Sequence, residues 1–551
     1  MVKEIKRYIS SHRLQIIFLC LIYTLGLYFR LAPRLSKDPH LLTLAADIWE
    51  RISIAQYFQD HGRLPQFCLR YIAYGQVPLW YPPISPLLFV FLSWIFHLDI
   101  PTVSSRIIPF IEALSPLSIF FLGAYLFNKK VGFLATIFLS LTPSFIFWSG
   151  ISDPQSLTLF LLPVYIILLV WRGKQSNIVQ KKRLFWIFSL GGLLAINFLT
   201  HLSYFLAVLI LGLVALALAP EINSKKPFFV DLLAALLVSQ LLTIWWWAPK
   251  NLYWWWIKSI VTSRAGIYSA VEHLNGYGLF IGILEICAAL FLLAANIFFP
   301  AKKKTYIWLF SLWSLIPFLE TQNELILSMI NRYYLHWSSI FKPLEGFRFY
   351  CFLAQPLALI AAFVLSEYVF PLFGQRSRII RILFVSVIIV ILFIGVNVSF
   401  GWNNKIHSSA INLQEYKAAV WFRNNSKDTD RIVSDYYRAQ LFAGICGGRA
   451  LMGWVFPLRN VNFPYIKAPG VVQDDIYNLY NTKDALGAYE LIKKYGCTHV
   501  FYSNNMFRYS FFGSKNKEGF KIDIETKKFK DPRFFEEVYN YNNDTVIIKI
   551  R

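Results

Sequence analysis

Apolar runs of about 20 residues alternate with short polar breaks along the first 400 positions, and about 20 residues is what a helix needs to cross a hydrocarbon core. The pattern predicts about 11 spans, near 14–32, 107–128, 131–149, 156–172, 184–200, 203–219, 229–247, 276–299, 305–319, 349–371 and 380–399. One further apolar run, 79–98, carries Pro82, Pro83 and Pro86 in its first half, which disfavour a regular helix there. It reads as a re-entrant or interfacial element, with a Pro-kinked span as the alternative. If the N-terminus is cytoplasmic and 79–98 does not cross, Lys129-Lys130, Arg172 to Arg183, Lys225-Lys226, Lys302 to Lys304 and Arg376 to Arg381 all fall on the cytoplasmic side. A long first loop (33–106), the turn at Asp153, the loops at 248–275 and 320–348, and the tail then fall outside.

The pattern changes after about residue 400. Helix-like "LQEYKAAVWFRNN" (413–425) and "DALGAYELIKKYG" (484–496) alternate with strand-like "RIVS" (431–434), "THVFYS" (498–503) and "TVIIKI" (545–550). The fold class expected is therefore an α-helical polytopic membrane domain, 1–400, followed by a C-terminal extracytoplasmic α/β domain, 401–551, long enough to bury its own core.

Composition agrees: of 551 residues 56% are hydrophobic and only 15% charged, and the mean hydropathy is +0.47. The net charge of +23 could suggest nucleic acid, but the basic residues fall as clusters between apolar runs, so no nucleic-acid partner is expected. "MVKEIKRYISSHR" is basic and leads into a run lacking a small-residue cleavage site, so it reads as part of a retained first span in an inner, plasma membrane. The six Cys show no metal spacing. Cys446 and Cys497, both in the tail, are the pair a disulfide could join. The two Trp triplets of "IWWWAPKNLYWWW" (244–256) read as an interfacial aromatic anchor, with a sugar or lipid platform as the alternative.

Candidate chemistry lies in the outer loops. Asp47 heads "ADIWERISIAQYF", whose apolar positions suggest an amphipathic helix on the interface; it is either a helix cap or an exposed carboxylate. Asp153, in "FWSGISDPQSLTLFLLPVYIILL", is either the cap of a Pro-started helix or a second carboxylate able to share a divalent cation with Asp47. Arg348, in "KPLEGFRFYCFLAQPLALIAAFVL", is either a snorkelling residue or a guanidinium fork for a lipid phosphate. Glu320 and Glu324 are loop charges or extra metal ligands. His201 is a structural or ligating imidazole at an outer turn. Glu112 and Glu285 fall inside spans, where carboxylates mark function or an ion path.

These residues, in this order and on one side, resemble the GT-C superfamily of membrane glycosyltransferases, distantly the catalytic subunit of oligosaccharyltransferase. The resemblance rests on Asp47 through "HGRLP", on "SGISDPQ" before a leucine-rich span, and on "EGFRF" leading into a span. It implies a sugar donor carried on polyprenyl phosphate or diphosphate, Asp47 as base, Arg348 on the donor phosphate, and a divalent cation (Mg or Mn) on Asp153 and Asp47 with Glu320 or Glu324. Two positions depart from the pattern. Gln155 stands where the family has a second acid, and "DRIVSDYYRAQLFAG" offers Asp435-Tyr436 without the Trp pair that reads an Asn acceptor. The implied acceptor is then a glycan, a lipid or a protein hydroxyl. A transporter or flippase for a lipid-linked substrate and a non-catalytic scaffold are the alternatives. The transporter would want an internal symmetry that the sequence does not display.

Overall fold

The computed structural model describes residues 13–35, 38–40, 46–67, 79, 81–150, 154–175, 178–201, 203–222, 224–249, 304–321, 350–371, 411–447, 449–452, 469–504, 506 and 524–551, with a few single positions between 386 and 397. The chain forms two compact units. One comprises Met1–Pro33, Ile108–Trp246 and Arg264–Lys405; the other comprises Arg34–Ile107, Trp247–Ser263 and Ile406–Arg551.

Among the described residues six helices are long and apolar enough to cross a membrane: Gln15–Ala32, Ile100–Leu126, Gln155–Gly173, Tyr204–Glu221, Lys225–Trp247 and Tyr350–Val369. Helices Gln180–Phe198 and Lys304–Thr321 stand where spans were expected at 184–200 and 305–319. The span expected at 131–149 is instead two helices, Lys129–Leu141 and Pro143–Trp148. Pro143 pushes the residue before it out of the helical region, and Thr142 is extended, with ψ 115°. The spans expected at 276–299 and, for the most part, 380–399 lie outside the described residues. The run at 79–98 forms a 13-residue helix, Ile84–Phe96, that starts after Pro83. Its rise of about 20 Å falls short of the roughly 30 Å hydrocarbon thickness.

Polar ties fix the helices of the first unit at both ends of Gln155–Gly173. At one end, Thr158 Oγ1 donates to Asn197 Oδ1 at 2.6 Å and lies 2.6 Å from Ser203 Oγ. At the other, buried Asp231 accepts from Arg172 Nε at 2.8 Å and Nη2 at 2.6 Å, and from Arg183 Nε at 2.5 Å. Each group offsets the cost of burying its neighbour's charge or dipole. Two glycines let the Leu117–Leu126 and Lys129–Leu141 helices close up: a Cβ on Gly132 would lie 2.6 Å from the Phe120 carbonyl oxygen.

The second unit holds a five-stranded sheet of order β2-β1-β3-β5-β4, where β1 is Ile432–Ser434, β2 Ala450–Met452, β3 His499–Ser503, β4 Phe535–Tyr541 and β5 Thr545–Ile550. β1 runs parallel to β2 and β3, with Ile432 opposite Ala450 and His499; β5 runs antiparallel to β3 and β4. The strands expected at 431–434, 498–503 and 545–550 are β1, β3 and β5. Cys446 and Cys497 are buried separate thiols, not a disulfide, and burial pushes each up to about 12.

The Ala46–His61 helix also belongs to this unit, and it is not the one-sided interfacial helix that its sequence suggests. Every residue from Ile48 to Gln56 is buried, because the helix packs against both Ile84–Phe96 and Tyr436–Cys446. Of its charged positions, buried Arg51 donates through Nε to the Tyr81 hydroxyl at 2.6 Å, while Asp60, at the exposed end of the helix, pairs with Arg423 at 2.9 Å.

Candidate functional site

Asp47 is the second residue of the Ala46–His61 helix, inside the first turn rather than ahead of it. An acid there lies at the positive end of the helix dipole. Its side chain is outside the described residues, as is that of Glu320, the last residue but one of Lys304–Thr321. Asp153, Arg348, Glu324 and Glu285 lie wholly outside them.

The positions flanking Asp153 and Arg348 are described, and they meet. Gln155 Nε2 donates to Cys351 Sγ at 3.0 Å, and Gln355 Nε2 donates to the Leu159 carbonyl at 2.5 Å. Gln155 opens the helix two residues after Asp153. Cys351 lies in the first turn of Tyr350–Val364, three residues after Arg348. The helix that follows Asp153 and the helix that follows Arg348 therefore meet within the first unit. Pattern reading treats Gln155 as a missing acid. In the fold its amide ties the Gln155–Gly173 helix to Tyr350–Val364 through Cys351, and a buried Gln facing a thiol leaves no periodicity by which to find it.

The remaining candidates are structural in their described contacts. His201 Nδ1 accepts the Ser203 N–H at 3.1 Å and sits 2.8 Å from Ser203 Oγ, at the turn into Tyr204–Leu218. Glu112 is 1% exposed, at the end of Ile108–Glu112 within a candidate span. Asp435 caps Tyr436–Cys446 by accepting the Arg438 N–H at 3.1 Å. It also accepts from Arg438 Nη1 at 3.0 Å, while Arg438 Nε reaches Glu415 at 2.9 Å. Burial works against the Arg438 charge, yet Asp435 and Glu415 beside it hold its pKa above the ordinary guanidinium value. The side chain of Tyr436 lies outside the described residues.

Among the described residues, no three His, Cys, Asp or Glu side chains come together as a metal would need. The carboxylates that would ligate one, Asp47, Asp153, Glu320 and Glu324, all have undescribed side chains, and Gln155 brings an engaged neutral amide where a hard cation prefers a carboxylate. The described donor set does not fit a metal, so no catalytic step is derived through one.

A second cluster escaped the sequence reading. The His40 ring has Nδ1 2.7 Å from Asp38 Oδ1 and Nε2 2.8 Å from Asp99 Oδ2, and it stacks on Tyr416 with centroids 4.4 Å apart. The hydrogen bond to Asp99 outweighs partial burial and raises the imidazole pKa above its ordinary value. Burial pushes the Asp99 carboxyl up, but bonds from His40 and Thr102 prevail and hold it below the usual range.

No family model matches the chain, and no curated protein matches it by sequence. Solved structures do match. The archaeal oligosaccharyltransferase AglB from Archaeoglobus fulgidus, in complex with an inhibitory peptide and a dolichol-phosphate, superposes with a TM-score of 0.63 at 12% identity, covering 90% of this chain and 70% of that one. ArnT from Cupriavidus metallidurans, bound to undecaprenyl phosphate, gives 0.58 at 10% identity and covers 98% of both chains. The arabinofuranosyltransferase AftD from Mycobacteria gives 0.57 at 10% identity, covering 98% of this chain and 40% of that one. An Archaeoglobus fulgidus oligosaccharyltransferase was also solved with Zn and sulfate, at a TM-score of 0.57, 13% identity and coverage of 88% and 67%. The chain thus has the fold of the GT-C membrane glycosyltransferases.

Proposed function

We propose that the protein is an inverting membrane glycosyltransferase that moves a sugar from a polyprenyl phosphate or diphosphate to an acceptor hydroxyl on the extracytoplasmic side. In this reading the N-terminus is cytoplasmic and the C-terminal α/β region extracytoplasmic. Asp47 takes the proton of the acceptor hydroxyl as its oxygen bonds to the anomeric carbon. The bond from that carbon to the phosphate oxygen breaks, and its electron pair leaves with the lipid phosphate. Arg348 offsets the charge that develops there, and Asp153 orients the leaving group. Attack from the face opposite the phosphate inverts the anomeric carbon.

The observation that carries this reading is the fold shared along 98% of the chain with an enzyme bound to undecaprenyl phosphate. The convergence of the stretches beside Asp153 and Arg348 supports it within the first unit.

A positioned general base contributes about 10²–10⁴-fold. Asp47→Asn should lower glycan transfer by about that factor while the purified protein still binds undecaprenyl phosphate; Arg348→Ala should weaken that binding. Transfer is read by mass spectrometry of surface glycans in source cells whose own copy is deleted. Transfer within twofold of wild type in Asp47→Asn overturns the base assignment and favours a scaffold or a transporter.

A further inference from the structure

The Ala46–His61 helix is seated on the C-terminal chain at one tight point. Gly444, inside the Tyr436–Cys446 helix, lies against Trp49: a Cβ built on it would fall 2.6 Å from Trp49 Cε3 and 3.2 Å from the Trp49 carbonyl oxygen. The first distance is closer than a carbon side chain tolerates. The second means that the helix backbone, and not the indole alone, sits hard against this position. Trp49 is itself 3% exposed, so its ring has no solvent to swing into. Ile48, Ile52 and Ala55, each 1% exposed or less, hold the rest of the turn. The Ile84–Phe96 helix also packs against Ala46–His61.

Asp47 is two residues before Trp49 in the same helix, and a helix moves as a rigid rod over so short a distance. We propose that Gly444 and Trp49 are positioning residues for Asp47, so that the C-terminal chain sets the place of the proposed base from a contact that touches no substrate. The proposal rests on the base reading of Asp47. Misplacing a reacting group by about 1 Å can cost about 10²-fold, so the seat has leverage out of proportion to its size.

The test compares full-length Asp47→Asn, Gly444→Ala, Trp49→Leu and the double variant Gly444→Ala with Trp49→Leu. Each is scored for transfer per folded molecule in cells lacking the native copy, and for undecaprenyl phosphate binding by the purified protein. The added methyl should lower transfer about 10- to 100-fold with binding unchanged, and the single Trp49→Leu should lower it by leaving the seat loose. The double variant, in which the new methyl enters the space the indole vacates, should regain a severalfold part of what Gly444→Ala loses. If Gly444→Ala does not accumulate, the double variant against Trp49→Leu alone decides: higher transfer in the double supports the seat, and equal or lower transfer overturns it. Loss that tracks only the folded amount, or that the double variant leaves unrepaired, also overturns it. Full transfer in Gly444→Ala with transfer abolished in Asp47→Asn removes the seat and leaves the base in place. Full transfer in Asp47→Asn removes both.

Discussion

In the unit that holds most of the long apolar helices, one carboxylate, Asp231, is shared by Arg172 and Arg183. In the other, one guanidinium, Arg438, is shared by Asp435 and Glu415. Both central groups are fully buried. The first cluster joins three helices, two of them consecutive in the chain; the second joins two helices and β3, through Ser503, which donates to Glu415. The arithmetic is opposite, with one cation in excess in the first and one anion in excess in the second. The excess Arg183 of the first is 40% exposed and keeps water. The second has no such outlet, since its three members are at most 5% exposed. A buried anion in excess is tolerable because hydroxyl and backbone donors are available to it: Asp435 receives the Arg438 N–H, and Glu415 receives Ser503 Oγ and the Asn412 N–H.

Breaking the centre of either cluster is the harshest test of this contrast. Asp231→Ala strands two guanidinium groups, one of them buried, and should cost about 3–5 kcal/mol. That will be read as a large fall in thermal unfolding temperature or in the yield of folded protein. Arg438→Met strands two carboxylates at a comparable cost near neutrality. The two variants then separate on acidification. A carboxylic acid can bind a proton and become neutral, whereas a guanidinium cannot shed one in this range. Lowering the pH from 7 to 5 should restore part of the stability of Arg438→Met and none of that of Asp231→Ala. Equal responses would remove the distinction between the clusters.

The smallest effect belongs to His40, a cation between two acids but at the partly exposed surface. Its pKa is raised above 6.5 by Asp99, with Asp38 and the Tyr416 face adding to the site. The stabilisation it gives is therefore complete below about pH 6.5 and is lost as pH climbs through the raised value. The gap in unfolding temperature between wild type and His40→Ala should be widest near pH 6 and shrink towards pH 9. A gap that widens with pH would reverse the assigned charge state.

Much of the helix layout was legible because bilayer thickness imposes a length on apolar runs; of the three prolines in 79–98, Pro82 and Pro83 precede the helix, whereas Pro86 lies in its first turn, where a missing N–H costs no hydrogen bond. Pro143 was the overlooked equivalent: its run was apolar enough to hide a break that only the proline's missing N–H reveals. Asp435 looked like chemistry and serves as a cap, because the same carboxylate suits both uses and only its partners decide. The apolar positions of the Ala46–His61 helix misled in the other direction. They suggested a single buried face, yet Glu50 and Arg51 are also only 3% and 2% exposed. Part of what covers that helix is encoded nearly 400 positions later, beyond the reach of any local pattern. Motif spacing offered Asp47, Asp153 and Arg348 as candidates, while the Gln155–Cys351 contact between the helices that follow the last two required coordinates.

That enclosed helix also has a history during synthesis. Residues 46–61 leave the ribosome long before 436–446 exist, and at about 5–20 residues per second the wait is on the order of half a minute. Throughout it Trp49 lacks the Gly444 contact that it has in the fold. The first loop must therefore be kept from sticking to something else until residues 436–446 arrive to pack on it.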